Sequence, residues 1–323
     1  MFRTPIIPGK SDNKIKLNQS LLLMGSCFSE HIGKKLEQNK FNSLCNPFGI
    51  IYNPISIFKL LGQALEQRPI DRSFIIKNQG IYRHYDLHSD ISALSEDDLI
   101  SQMNQAFKSC EYYLQKSEWI LITFGTAIVY RHRKLKEIVS NCHKIPAREF
   151  EKERLKPDEI LTAFQTFYDN LLKINKRFNI IVTVSPVRHL KDSLEVNSVS
   201  KSILRYVCSN LSEAFSKVQY FPSYEIMIDD LRDYRFYEAD MLHINAQAIE
   251  YIWETFQQSY FDEETLNFIK NWRKIINALQ HRPFYPDSEE HQQFIRNTIQ
   301  QLFVFSSTVD ITRELEFLER QLK

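Results

Sequence analysis

Four short apolar runs, each closed by glycine or proline, constrain this chain more than any other feature. They are residues 20–24 before Gly25, 118–124 before Gly125, 179–184 before Ser185-Pro186, and 217–221 before Pro222. Runs this short and this uniformly apolar fit strands buried on both faces, as in a parallel sheet. Between and after them, residues 29–39, 97–116, 157–175, 198–215 and 246–259 carry apolar residues at i, i+3 and i+4 with charged outer faces, the pattern of helices that cover such a sheet. Strand–helix alternation of this kind predicts an α/β fold. The expected form is a three-layer α/β/α sandwich around a parallel sheet of about five strands. A further strand is expected within residues 72–85. After residue 260 the alternation stops. Residues 263–280 and 288–322 read as helices split by Arg282-Pro283-Phe284-Tyr285-Pro286-Asp287. The chain therefore divides into an α/β domain, 1–260, and a helical C-terminal extension, 261–323. The extension can cover the core, act as a lid or join two copies as a homodimer.

Charge narrows the function classes. Lys and Arg total 41 against 40 for Asp and Glu, so no basic excess draws the protein to nucleic acid or an anionic membrane. Five cysteines, Cys27, Cys45, Cys110, Cys142 and Cys208, show no C-x-x-C spacing. That argues against a disulfide framework and a four-cysteine zinc site, and for a reducing, cytoplasmic setting. Cys142-His143 with His189, or His84 with His88, form incomplete ligand sets, so no metal is expected. The N-terminal stretch has no long apolar core, so no secretory leader is expected. No apolar run reaches membrane-spanning length.

In an open parallel sheet, ligands bind beyond the carboxyl ends of the strands. After the first run comes Gly25-Ser26-Cys27-Phe28-Ser29. A strand, a tight glycine turn and a helix start put Cys27 at a helix N-terminus, where the dipole is expected to lower the thiol pKa and stabilise developing negative charge. Ser26 is the alternative nucleophile. After the last run, Asp240 and His243 sit three apart in Asp240-Met241-Leu242-His243, just before a helix. A carboxylate and an imidazole so placed can supply a general base and its orienting partner. Ser200-Lys201 lies in a helical pattern and reads as a helix face.

Gly25-Ser26-Cys27-Phe28-Ser29 resembles the signature of the GSCFA family, with Ser29 in place of its alanine. Residues 46–54, 141–146, 185–189 and 240–243 also resemble that family in order. GSCFA proteins are grouped with the SGNH (GDSL-like) ester hydrolases. That resemblance implies an SGNH hydrolase-like fold over residues 1–260 and activity on an ester or thioester of a small or carbohydrate-linked acyl group, without a cofactor. Cys27 falls where the superfamily's nucleophilic serine stands. Gly49 resembles the second-block glycine, an oxyanion donor. Gly125 matches only the glycine of the third block, whose asparagine is missing. Asn46, Asn141 and His143 are candidates for the vacant donor and substrate-binding roles. The altered blocks keep a second expectation open, an SGNH-fold ligand-binding protein with little or no catalysis.

Overall fold

In a computed structural model, residues 4–322 are described. Five strands, β1 (Ser20–Gly25), β2 (Asn42–Cys45), β3 (Trp119–Phe124), β4 (Asn179–Val184) and β5 (Val218–Tyr220), form one parallel sheet in the order β5-β4-β3-β1-β2. Alternation along the strands sorts the core in two. Leu22, Met24, Ile120, Ile122, Phe124, Ile180, Val182 and Val184 point to one face. Four helices cover them: α2 (Pro54–Leu65), α3 (Glu96–Lys116), α4 (Pro157–Ile174) and α5 (Leu194–Ala214), which follow α1 (Cys27–Gln38) in the chain. Leu21, Leu23, Trp119, Leu121 and Ile181 point to the other face. There they meet α1 (Cys27–Gln38) and α6 (Ala246–Tyr260). The three-layer α/β/α sandwich is therefore present, and its central strands read as continuous apolar runs because both faces are covered.

The further strand expected within residues 72–85 is present, but it does not join the parallel sheet. Residues 72–85 hold an antiparallel hairpin, Ile75–Asn78 with Ile81–His84, turned by Gln79 and Gly80 at positive φ. That hairpin lies outside the sheet. The strand completing the sheet is β2, a four-residue edge whose Asn42 is exposed and whose other residues are half-buried. Such a strand has no apolar run to betray it. A second small sheet pairs Ile128–His132 with Ile138–Val139 and Phe150–Arg154.

The C-terminal residues form α7 (Glu263–Gln280), α8 (Glu289–Phe303) and α9 (Thr312–Glu319). The long helix expected over 288–322 is thus interrupted before Asp310. These helices have a core of their own in Trp272, Ile275, Ile295, Leu302, Ile311 and Leu318. They dock onto the lower end of α1, where the Trp272 indole N–H donates to the Gln38 carbonyl at 2.9 Å and Lys40 pairs with Glu314 at 2.6 Å. Phe303, Val304 and Phe317 stay exposed. Among the described residues, no helix is long and apolar enough to cross a membrane.

Candidate active site

The strand order reverses at β1, which has β2 on one side and β3 on the other. The carboxyl ends of β1 and β3 therefore border the crevice in which doubly wound sheets bind ligands. Gly25 ends β1 at φ +142°, and a β-carbon there would lie 2.2 Å from the Thr123 carbonyl oxygen of β3. Only glycine allows this approach. The turn is held from two more sides: the Gly25 N–H donates to Asn46 Oδ1 at 2.9 Å, and its carbonyl accepts from the Ile51 N–H at 3.0 Å.

The next two residues differ in kind. Ser26 is fully buried and caps α1, its Oγ accepting from the Phe28 N–H at 3.3 Å. Cys27 is the first helical residue and is half-buried. Burial pushes its thiol pKa up and Glu30 adds to this; Lys201 and the backbone N–H groups of Cys27 and Phe28 pull the other way. The lowering expected from the helix N-terminus is thus outweighed by desolvation.

Asp240 and His243 form the pair that their spacing predicts. His243 Nδ1 lies 2.6 Å from Asp240 Oδ2, and Asp240 Oδ1 accepts from the N–H groups of Leu242 (2.8 Å) and His243 (2.9 Å). The bond to the imidazole, with those two backbone bonds behind it, holds the Asp240 carboxyl down to about 2. The loop closes tightly because Met241 takes a left-handed backbone (φ +60°) and the Glu238 N–H donates to the His243 carbonyl. Asn245 then starts α6 by accepting from the Ala248 N–H. Both members of the pair are exposed. His243 reaches electrostatically to His31, one turn beyond Cys27 on α1, and to His189. Among the described residues, no hydrogen bond joins Cys27 to His243.

Tyr52 and Lys201, which sequence reasoning did not place in the site, act electrostatically on Cys27, and His189 lies beside Tyr52. Tyr52 feels the charge of Cys27 and packs edge-on against the His189 ring at 5.3 Å. His189 has a buried Nε2 with no hydrogen-bond partner. Its pKa is lowered to about 4 by burial, with Lys201 and His243 adding to the effect. Lys201 is not on an open helix face: it is 1% exposed, and its Nζ donates to the carbonyls of Gly125 (2.8 Å) and Ser185 (2.7 Å). Its neighbour Ser200 is also buried and accepts from the Ala127 N–H at 2.7 Å. The signal for His189 was its place just after an apolar run; for Lys201 there was none.

The expected oxyanion donors fare differently. The Gly49 N–H is spent on the Asn46 carbonyl at 2.8 Å, inside its own turn, and the Gly125 N–H on the Tyr52 carbonyl at 2.7 Å. Neither is free to hold a ligand oxygen. Asn46 is buried beside Gly25, and its Nδ2 has no partner. Asn141 and His143 belong to a separate network. Asn141 Nδ2 donates to Ser89 Oγ, and both His143 ring nitrogens are occupied, by Ser89 Oγ at 3.2 Å and the His84 carbonyl at 2.8 Å. A cavity of about 920 Å³ lies at the far end of the sheet, bounded by Gln38, Asn42 and Trp272, and contains none of the Cys27 cluster.

The GSCFA family model matches residues 20–256, and the model for the GSCFA domain protein, C-terminal domain, matches residues 272–323. No curated protein matches the chain. Among solved structures, the chain is similar to a carbohydrate esterase family 2 (CE2) enzyme plus carbohydrate binding domain from Corynascus thermopiles (Myceliophthora fergusii). The identity is 10% and the TM-score 0.39, over 83% of this chain and 69% of that one.

Proposed function

Since the chain belongs to the GSCFA family, whose motif order resembles that of SGNH ester hydrolases, we propose that it hydrolyses or transfers the acyl group of a small or carbohydrate-linked ester or thioester. Residues 1–260 form the hydrolase-like unit in this reading and 261–323 its extension. One observation carries it: the Asp240–His243 pair at 2.6 Å follows the last strand, at the sheet end where Cys27 opens α1. Cys27 is the nucleophile. His243 takes the thiol proton as the sulfur adds to the acyl carbonyl, and then gives it to the leaving group as the carbon–oxygen or carbon–sulfur bond to that group breaks. Water, or a second alcohol in a transfer, then attacks the thioester while His243 accepts its proton, which releases the acyl group and restores the thiol. Asp240 fixes the imidazole so that Nε2 faces the reaction. The unpartnered Nδ2 of buried Asn46 supports a role for it as an oxyanion donor, a task worth roughly 3–4 kcal/mol of barrier. The five cysteines are all unpaired, which supports the expectation of a reducing, cytoplasmic setting.

A second reading, a ligand-binding protein without turnover, is favoured by the engagement of the Gly49 and Gly125 N–H groups within the fold. A panel of chromogenic acyl esters of increasing chain length separates the two. The hydrolase reading expects turnover on at least one ester that disappears in Cys27→Ala. Turnover no greater than that of Cys27→Ala on every ester supports the binder.

A further inference from the structure

Residues 238–243, which carry the Asp240–His243 pair, form a short excursion closed at its base by the antiparallel bridge Tyr237–Ile244. Both base residues are buried in the core between the sheet and α1 and α6. Inside the excursion the bonds are local. The Glu238 N–H donates to the His243 carbonyl, the Met241 N–H to the Glu238 carbonyl, and the Leu242 and His243 N–H groups to Asp240. These bonds set the shape of the loop but not its seat on the sheet. Among the described residues, every hydrogen bond that leaves 238–243 for the rest of the fold goes to one residue, Arg188. Its backbone N–H donates to the Leu242 carbonyl at 3.3 Å, and its Nη1 reaches the Met241 carbonyl at 3.5 Å. Its guanidinium carbon lies 4.1 Å from the centre of the Tyr237 ring and 5.3 Å from that of Tyr234, within the range in which a cation and an aromatic face attract. Arg188 is itself firmly rooted between β4 and α5. The Ser185 N–H donates to the Phe124 carbonyl at 2.8 Å, Val187 is buried, and the His189 N–H donates to Asn197 Oδ1 of α5 at 3.0 Å.

We propose that Arg188 is a positioning residue that ties the Asp240–His243 loop to the carboxyl end of the sheet and so fixes where the imidazole stands. This deepens the reading of that pair as general base and orienting partner, and rests on it. Asp240 and His243 are both exposed, so burial of their own side chains does not lock the loop in place. The Nη1 bond falls on the carbonyl of Met241, the residue at which the chain reverses through a left-handed backbone at φ +60°. A residue with a side chain adopts that backbone uncommonly and keeps it where its surroundings enforce it. Arg188 thus grips the loop at its turn, between the two members of the pair, while its cation rests on the buried Tyr237 ring at the base of the same loop. A misplacement of about 1 Å is enough to cost a reaction about a hundredfold, so a loop with a single tether makes that tether decisive for the rate.

The test pairs backbone hydrogen exchange, followed peptide by peptide by mass spectrometry in the full-length protein, with steady-state rates on the best ester of the panel. Arg188→Met removes the cation and the Nη1 donor and leaves the backbone bond to Leu242 in place; Arg188→Lys keeps a cation and one donor. In Arg188→Met, residues 238–243 are expected to exchange roughly fivefold faster, and kcat to fall about tenfold with KM within about twofold of the parent. Arg188→Lys should restore part of both effects. A merely structural contact would lower the melting temperature without separating kcat from KM. Unchanged exchange of 238–243 in folded Arg188→Met overturns the proposal, and so does faster exchange with an unchanged kcat. In the unaltered protein, exchange of 238–243 as fast as that of the exposed 281–288 segment also overturns it, a result that needs no variant to fold. If the unaltered protein turns over no ester, the hydrolase reading fails, and the exchange comparison alone decides whether Arg188 holds the loop.

Discussion

Replacing Ser26 by alanine distinguishes a capping residue from a nucleophile one position before Cys27. In the structure the Ser26 hydroxyl is fully buried and accepts from the Phe28 N–H at 3.3 Å. Its backbone N–H is separately held by the Thr123 carbonyl and is untouched by the substitution. What Ser26→Ala removes is therefore one N-cap acceptor, which costs about 1 kcal/mol. No cavity larger than a hydroxyl is left, so no further packing cost is expected. In a chain of 323 residues that corresponds to a melting temperature lower by about 1–2 °C. Turnover should stay within a factor of about three, because a cap lost beneath the thiol shifts its position only slightly. Cys27→Ala should show the opposite: a melting temperature close to the parent and no turnover. The assay pairs a thermal melt followed by circular dichroism with initial rates on the best ester of the panel. Abolished turnover in Ser26→Ala with Cys27→Ala still active would refute the assignment and make Ser26 the attacking group.

Gly25→Ala should not fold to the native state, since its β-carbon would meet the Thr123 carbonyl at 2.2 Å on a backbone at φ +142°; the expected loss exceeds about 3 kcal/mol, read by denaturant titration. Asp240 has its carboxyl depressed to about 2, so its bonds to the His243 loop are fully present above the ordinary carboxylate range and lost only as pH falls through about 2. Asp240→Asn removes a carboxylate that is ionised at neutral pH and should lower the rate about tenfold or more, as initial rates on the best ester at about pH 7 will show. Deleting residues 288–323 removes α8 and α9 and strips Trp272 and Ile275 of their cover; the truncated protein should lose solubility by at least half in a centrifugation assay. A fully soluble truncation with an unchanged melt would show that this cluster is dispensable.

The sheet was legible to the extent that its strands are covered on both faces. β1, β3, β4 and β5 announce themselves through runs such as Trp119–Phe124, all six residues of which are buried. β2 does not, because an edge strand of sequence Asn-Ser-Leu-Cys needs no apolar face. Helix α2 went unread although its start signal is present: Asn53 Oδ1 accepts from the Ser56 N–H at 2.8 Å and Pro54 opens the helix. Within the site, Cys27 and the Asp240–His243 pair were legible because their spacing is local. Lys201 was not, because its burial depends on carbonyls 76 and 16 residues away, and a lysine in a helical pattern reads as solvated. The fate of the Gly49 N–H was equally hidden, as a glycine motif does not say which carbonyl its amide meets.

Helix α1 has Cys27 at one end and, at the other, the Gln38 carbonyl gripped by Trp272 of the C-terminal helices. Twelve residues make a rod of about 18 Å. A rod clamped at its foot swings at its tip: a tilt of about 5° would carry the thiol about 1.6 Å, more than the roughly 1 Å that costs a reaction a hundredfold. The tail thus braces the foot of α1, while the bonds of Gly25 and Ser26 to Asn46, Ile51 and Thr123 brace its tip. A change at Trp272 that tilted α1 would displace the thiol, although the two side chains meet opposite ends of the helix.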